Sequence, residues 1–166
     1  MIAPLAWRFP VDALVSRFKY RGALHLGALL GRLLAECCSG RAADCVVPVP
    51  LHPARQRERG FNQAQEIARL VAGRLGAELH LDACCRMVDT PAQAGLSAER
   101  RYRNLQGAFR VAPERIAGRR LALVDDVFTT GSTARALVTQ LLRAGALEVE
   151  VWAVARGGTA QPGVKV

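Results

Sequence analysis

Asp125 and Asp126 stand side by side behind an apolar run, LALV (121–124). They are followed by Val127, Phe128 and five small residues, Thr129, Thr130, Gly131, Ser132 and Thr133. Adjacent carboxylates repel one another, so structure alone gives no reason for the pair. They accept hydrogen bonds and suit a ligand offering paired hydroxyls, or a bound cation. The hydroxyl-rich turn leads into TARALVTQLLRA (133–144), whose apolar spacing predicts a helix ending at Gly145. A helix start presents free backbone N–H groups and the positive end of the dipole, which together hold an anion. Gly131 lets the backbone approach closely, and the Thr and Ser hydroxyls add donors. An ordinary helix cap at Thr129 or Thr130 would account for a Thr and the Gly, but not for the acidic pair.

Diol acceptors beside a phosphate cradle describe a 5-phosphoribosyl group. The other common phosphate-binding patterns are missing, since neither G-x-x-x-x-G-K-[ST] nor G-x-G-x-x-G occurs. An acidic pair of the receiver-domain kind would follow the first strand, not come late in the chain.

The elements that must position these residues follow from periodicity. VDALVSRFK (11–19) places Val11, Leu14, Val15 and Phe18 on one helical face, and residues 24–38 read as a second, largely buried helix. CVVPV (45–49) suits a strand buried on both faces. A loop dense in proline and arginine, PLHPARQRERG (50–60), follows it. Asn62 then opens a helix, with Gln65 as capping-box partner, that runs to about Leu75 and stops at Gly76. Strands are expected at 79–81, 84–88, 108–111 (paired back onto 84–88), 121–124 and 149–155. A short helix is expected at Ser97, with Glu99 near its start. Alternation of strands and helices after residue 45 predicts an α/β fold with a parallel sheet and helices on both faces. Ligands in such sheets sit outside the carboxyl ends of the strands. Both the Pro/Arg loop and the acidic pair fall there.

The 166 residues make one domain, large enough to bury a core without disulfide or metal. The net charge is +9, carried by 21 arginines and two lysines. Arginine's planar fork suits phosphate, so a phosphorylated ligand or nucleic acid fits, although base composition of the gene could produce the same bias. The five cysteines (Cys37, Cys38, Cys45, Cys84, Cys85) include two vicinal pairs and no zinc-ligand spacing. Buried thiols in a reducing compartment are the expectation. The N-terminus has no signal-peptide pattern, and no apolar run reaches the roughly 18 residues of a membrane span. A cytoplasmic protein without membrane insertion is expected.

LALVDDVFTTGST resembles the 5-phosphoribosyl-1-pyrophosphate (PRPP) motif of type I phosphoribosyltransferases throughout. VVPVPLHPARQRERGFNQAQEIA (46–68) and TPAQAGLSAERRYRNLQGAF (90–109) are similar to the ComF/GntX family, the competence-protein-F-like phosphoribosyltransferases. The similarity runs from about Phe18 to Arg156. It implies the type I phosphoribosyltransferase fold, a mainly parallel twisted sheet flanked by helices, with a small mobile hood over 84–111. N-terminal helices would occupy about 1–40, and a flexible tail 157–166.

The resemblance also implies roles. Asp125 and Asp126 would bind the ribose hydroxyls, between Val124 and Val127, and Thr129, Thr130, Gly131, Ser132 and Thr133 the 5-phosphate. Pro50, Leu51 and His52 would form the pyrophosphate loop, with Val49–Pro50 a candidate cis peptide bond. Of Arg55, Arg57 and Arg59 at least one would contact an anion, with Arg55 the leading candidate. In the hood, Arg100, Arg101 and Arg103 would reach the leaving group, Arg100 in a catalytic role. Gln93, Ser97 and Asn104 match family positions without an assigned role. Magnesium, bound through PRPP and not by a protein metal site, would neutralise the leaving pyrophosphate. Family members usually carry an N-terminal zinc ribbon. The opening residues here resemble the segment after it, so no zinc ribbon is expected. The glutamine-dependent reaction of amidophosphoribosyltransferases is set aside, because it needs a glutaminase domain with an N-terminal cysteine.

The expected activity is Mg-dependent transfer of a 5-phosphoribosyl group from PRPP, or binding of a 5-phosphoribosyl nucleotide, with an unread acceptor. The alternatives are a non-catalytic accessory of single-stranded DNA uptake, with Phe61 and Tyr102 among arginines, and a nucleotide-sensing regulator. The partners would be single-stranded DNA or DNA-processing proteins, and a homodimer is a further possibility.

Overall fold

The structure is a computed structural model that describes residues 1–89, Leu105 and residues 107–157. Its centre is a five-stranded sheet in the order β1 (Leu5–Ala6), β7 (Glu148–Arg156), β6 (Arg120–Phe128), β2 (Cys45–Pro48), β3 (Glu78–Leu79), with every neighbouring pair parallel. A separate antiparallel ribbon joins β4 (Cys84–Arg86) to β5 (Phe109–Val111). The parallel α/β sheet and the 84–88/108–111 pairing match the sequence reading. β1 does not appear in that reading. Two residues are too few to carry a period of two, and β1 exists because β7 offers its edge: Ala153 N donates to Ile2 O and Trp7 N to Arg156 O.

Among the described residues five α-helices flank the sheet, α1 (Val11–Arg21), α2 (Leu24–Cys37), α3 (Pro53–Arg59), α4 (Gln63–Leu75) and α5 (Ser132–Arg143). Side chains alternate across the strands. Val46, Ala122, Val124, Trp152 and Val154 pack against α1, α2 and α4, with Phe18, Leu30, Leu34, Ile67 and Val71. Val47, Leu121, Leu123, Val151 and Ala153 pack against α5 and the β4–β5 ribbon, with Leu137, Leu141 and Phe109. The central strands are thus covered on both faces, as their continuous apolar sequences require.

Four local expectations need correction. The Pro/Arg segment after β2 is not all loop, because α3 fills 53–59. Pro53 at its first position needs no N–H partner, His52 Nδ1 accepts from Ala54 N at 3.3 Å, and Gly60 ends it at φ 80°. These residues start a helix instead of breaking one. Helix α2 is buried along one stripe only, with Leu24, Leu29 and Leu33 exposed. Among the thiols, Cys38, Cys45 and Cys84 are buried as expected, whereas Cys37 and Cys85 are exposed. The cis peptide bond among the described residues is Phe9–Pro10, not Val49–Pro50. Among the described residues no helix is long and apolar enough to cross a membrane.

Gly27 of α2 faces the ring of fully buried Phe18, where a Cβ would lie 2.4 Å from Cε2. Phe18 in turn stacks at a tilt on Phe61, 5.4 Å between centroids, and cannot easily retreat. Gly27→Ala should therefore cost about 1–2 kcal/mol in urea denaturation, overpacking outweighing helix propensity. Gly73→Ala in α4, whose Cβ would meet nothing, should instead stabilise by up to about 1 kcal/mol.

Candidate functional site

Strand β6 is longer than its apolar run and carries Asp125 and Asp126 within it, ending at Phe128. Register with β7 continues through Asp125–Ala153 and Val127–Ala155. Neighbours in a straight strand face opposite sides of a sheet. Here sidedness reverses across the acidic pair. Val124 packs on the α1/α2/α4 side, yet Val127 does too, and Phe128 joins the α5 side. Both carboxylates consequently line one cleft of ≈ 150 Å³ at the carboxyl end of β6 and β2.

The pair is not left bare. Lys19, on the last turn of α1, places Nζ 2.8 Å from Asp126 Oδ2, with side chains only 20% and 10% exposed. Asp125 Oδ1 accepts from Asp126 N at 2.8 Å. Burial, and then the neighbouring Asp126 carboxylate, push Asp125 well above the ordinary carboxylate range, against the pull of Lys19.

Behind the acids the turn is compact. Gly131 is the N-cap of α5 at φ 72°, and a Cβ there would lie 2.5 Å from Phe128 Cζ. No side chain caps the helix at this residue, so Thr129 and Thr130 are not the capping residues. Thr130 Oγ1 and Ser132 Oγ lie 3.0 Å apart, with Thr129 and Thr130 exposed and Ser132 buried. The first-turn N–H groups point out of the helix end, the arrangement that binds anions.

The loop after β2 forms the opposite wall. Asn62 Nδ2 donates to Val49 O (3.1 Å) while its Oδ1 accepts from Ala64 N (3.0 Å). One side chain thus caps α4 and ties Pro50 and Leu51 beside the acids. Gln63 is buried, with Oε1 held by Arg59 Nη1 at 3.1 Å and Nε2 without a partner. A buried amide donor with no acceptor is costly, and a ligand oxygen would relieve it. Arg59 also lies over the Tyr20 ring at 5.2 Å.

The cleft therefore gathers Pro50, Leu51, Arg59, Asp125, Asp126 and Thr133 from the sequence-based set, together with Lys19, Asn62, Gln63 and Arg86. His52 and Arg55 lie off it and face Asp89 instead, at 3.9 Å and 3.2 Å. Arg57 is exposed. Val124 is fully buried in the core and Val127 partly so, which holds the strand under the acids. Phe61 is half-buried and packs at a tilt on Phe18. Gly157, expected in a loose tail, is buried and donates to Phe128 O. Gln93, Ser97, Glu99, Arg100, Arg101, Tyr102, Arg103 and Asn104, and the tail beyond Gly157, lie outside the described residues.

Lys19, Gln63 and Arg86 escaped sequence reading. The one signal for Lys19 is that it is one of two lysines among 21 arginines. Gln63 was visible only as part of a helix start.

Comparison with solved structures defines the class. The fold is similar to glutamine PRPP amidotransferase from B. subtilis in complex with ADP and GMP, at TM-score 0.55 and 25% identity, over 77% of this chain and 26% of that one. It is also similar to adenine phosphoribosyltransferase from Thermoanaerobacter pseudethanolicus, at TM-score 0.52 and 16% identity, over 81% and 82%. This is a type I phosphoribosyltransferase fold.

No protein-family model matches the chain. It is 35% identical to Competence protein F of Haemophilus influenzae over 156 residues, 89% of this chain and 68% of that protein. It is 37% identical to DNA utilization protein YhgH of Salmonella typhi over 154 residues, 89% and 67% respectively. The chain belongs to the competence protein F (ComF) family.

Removing the Lys19 charge should raise the Asp125 titration further. An acid whose folded pKa lies above its unfolded value, ordinarily 3.8, binds more protons folded than unfolded in that window. Stability then falls as pH rises through the window. Urea denaturation between about pH 4 and 8 should show that fall, and Lys19→Met should steepen it and carry it to higher pH. Carboxyl NMR titration of both proteins checks the assignment. An unchanged Asp125 titration in Lys19→Met would overturn it.

Proposed function

We propose that the cleft binds the 5-phosphoribosyl group of PRPP and transfers it to an acceptor nucleophile. The observation that carries this reading is the joint placement of two carboxylates and an uncapped helix N-terminus at the carboxyl ends of β6 and β2. Asp125 and Asp126 would accept from the ribose hydroxyls. The Thr129–Thr133 turn and the α5 N–H groups would hold the 5-phosphate. Pro50 and Leu51 would flank the pyrophosphate, with Arg59 and Arg86 as the cations nearest it. The Gln63 amide N–H, without a partner among the described residues, would find an acceptor on the ligand.

Magnesium fits this donor set. The carboxylates are hard oxygen donors, and ionising Asp125 beside Asp126 is costly until a cation shares the site. When bound with PRPP it would neutralise the leaving pyrophosphate. The chain's own part is then to orient the ribose, fix the phosphate and surround the anomeric carbon with preorganised charge. Lys19 would have to loosen its hold on Asp126, or share it, when the ribose arrives.

The relatives' names refer to competence and DNA utilization. Direct contact with single-stranded DNA is the second reading, favoured by the +9 charge. It is the weaker one, because Phe61 is half-buried against Phe18 and charge alone binds without a defined site.

Calorimetry with PRPP and Mg²⁺ should give saturable binding that weakens at least about tenfold in Asp125→Asn and Asp126→Asn, the loss of one charge-assisted contact to a hydroxyl. No heat with the natural chain would sink the reading. Incubation with PRPP and pooled bases and amines, followed by pyrophosphate release, then separates transfer from binding alone. Gel shifts with oligonucleotides test the second reading. Any phosphate-driven binding must fall steeply with salt, and absence of binding at low salt removes direct contact.

A further inference from the structure

At the opposite end of the sheet from the cleft, β2 begins at Cys45 and pairs in parallel with the edge strand β3, placing Cys45 beside Glu78. His80 follows two residues on, which returns its side chain to the same face as Glu78. Its backbone is held there by His80 N donating to Val46 O at 3.0 Å. A thiol, a carboxylate and an imidazole thus converge, with their candidate ligand atoms all within 4.8 Å of one another. His80 Nε2 and Glu78 Oε2 lie 3.1 Å apart. Cys45 is fully buried, His80 half-buried and Glu78 exposed, so the cluster opens to solvent on the Glu78 side.

The groups already share a cation. Arg119 Nη1 lies 2.6 Å from Glu78 Oε2 and 3.2 Å from Cys45 Sγ. Arg120, next in the chain, is engaged with Asp44 through two side-chain contacts, the shorter 2.8 Å. Arg119 itself is partly exposed and can swing into water at little cost.

From this geometry we infer that Cys45, Glu78 and His80 form a binding site for a zinc-class divalent ion, which displaces the Arg119 guanidinium and pins the edge strand β3 to β2. The donor types select the ion. A thiolate, an imidazole nitrogen and one carboxylate suit Zn²⁺ and its analogue Co²⁺, while Mg²⁺ and Ca²⁺ prefer all-oxygen sites. Three protein ligands leave a fourth tetrahedral position for water on the open side. On binding, the Cys45 S–H proton is released to solvent and the thiolate sulfur donates to the metal. His80 Nε2 donates as neutral imidazole, and no electron is transferred. The bland alternative is that Arg119 is a permanent partner and the cluster an ordinary ion pair. This site is separate from the PRPP cleft, and its test does not depend on that reading.

Metal-free, reduced full-length protein titrated with Co²⁺ should develop a sulfur-to-cobalt charge-transfer band and four-coordinate d–d bands. Both should saturate at one equivalent and be lost on adding Zn²⁺. Cys45→Ser should lose the sulfur band although Cys37, Cys38, Cys84 and Cys85 remain. His80→Gln should weaken binding by more than roughly 100-fold, beyond the loss of an outer-shell partner. Arg119→Met, which removes the competing charge, should tighten binding by about tenfold. Zn²⁺ should raise the Tm of the natural chain but not of His80→Gln. No band in the natural chain, a band that survives Cys45→Ser, or affinity indifferent to Arg119 and His80 would each overturn the site. Should Cys45→Ser fail to fold, the His80→Gln and Arg119→Met pair decides alone.

Discussion

Two carboxylates brought together at the end of a buried strand set the terms for everything around them. Bare, the pair would repel and lose hydration together. The protein answers with Lys19, delivered by α1 to within 2.8 Å of Asp126. That contact needs α1 held in place, and it is held because Val15 and Phe18 are fully buried in the core that α2, α4 and the sheet share. Phe18 in turn needs Gly27 of α2 to be without a side chain. An electrostatic demand at one strand end is thus met through the packing of two helices that precede the sheet's first central strand.

The same pair also organises the strand. The reversal of sidedness between Val124 and Phe128 points two successive side chains into one cleft, and it ends where Gly131 lets the chain turn under the Phe128 ring. Across the cleft, Asn62 performs two tasks with one amide, capping α4 and anchoring the carbonyl of Val49. The groups lining the cleft are therefore held by rigid elements, and the Gln63 amide, unsatisfied among the described residues, lies in the same cleft.

Much of this was legible in the residues. The acidic pair and its Gly/Thr/Ser turn announce themselves because their chemistry is local. Helix α4 is readable from Asn62 to Gly76 because capping signals act within one turn. The β4–β5 pairing was readable from two short β-branched and apolar runs. The α3 helix was misread, since Pro and Arg clusters look like loop punctuation unless Pro53 is recognised as a first-turn residue. Strand β1 was invisible because its existence depends on the edge of β7, not on its own two residues.

What the sequence by itself determined is the order of most elements and the place of the acidic pair and the Gly/Thr/Ser turn between a strand and a helix, because propensity, periodicity and caps are encoded within a few positions. Tertiary structure alone decided which charges meet. It drew Arg55 away to Asp89, gave Lys19 to Asp126, and gathered Cys45, Glu78, His80 and Arg119 at the far end of the sheet. Coulomb and ligand interactions act over a few ångströms in space, and only the packed chain sets which distant residues come that close.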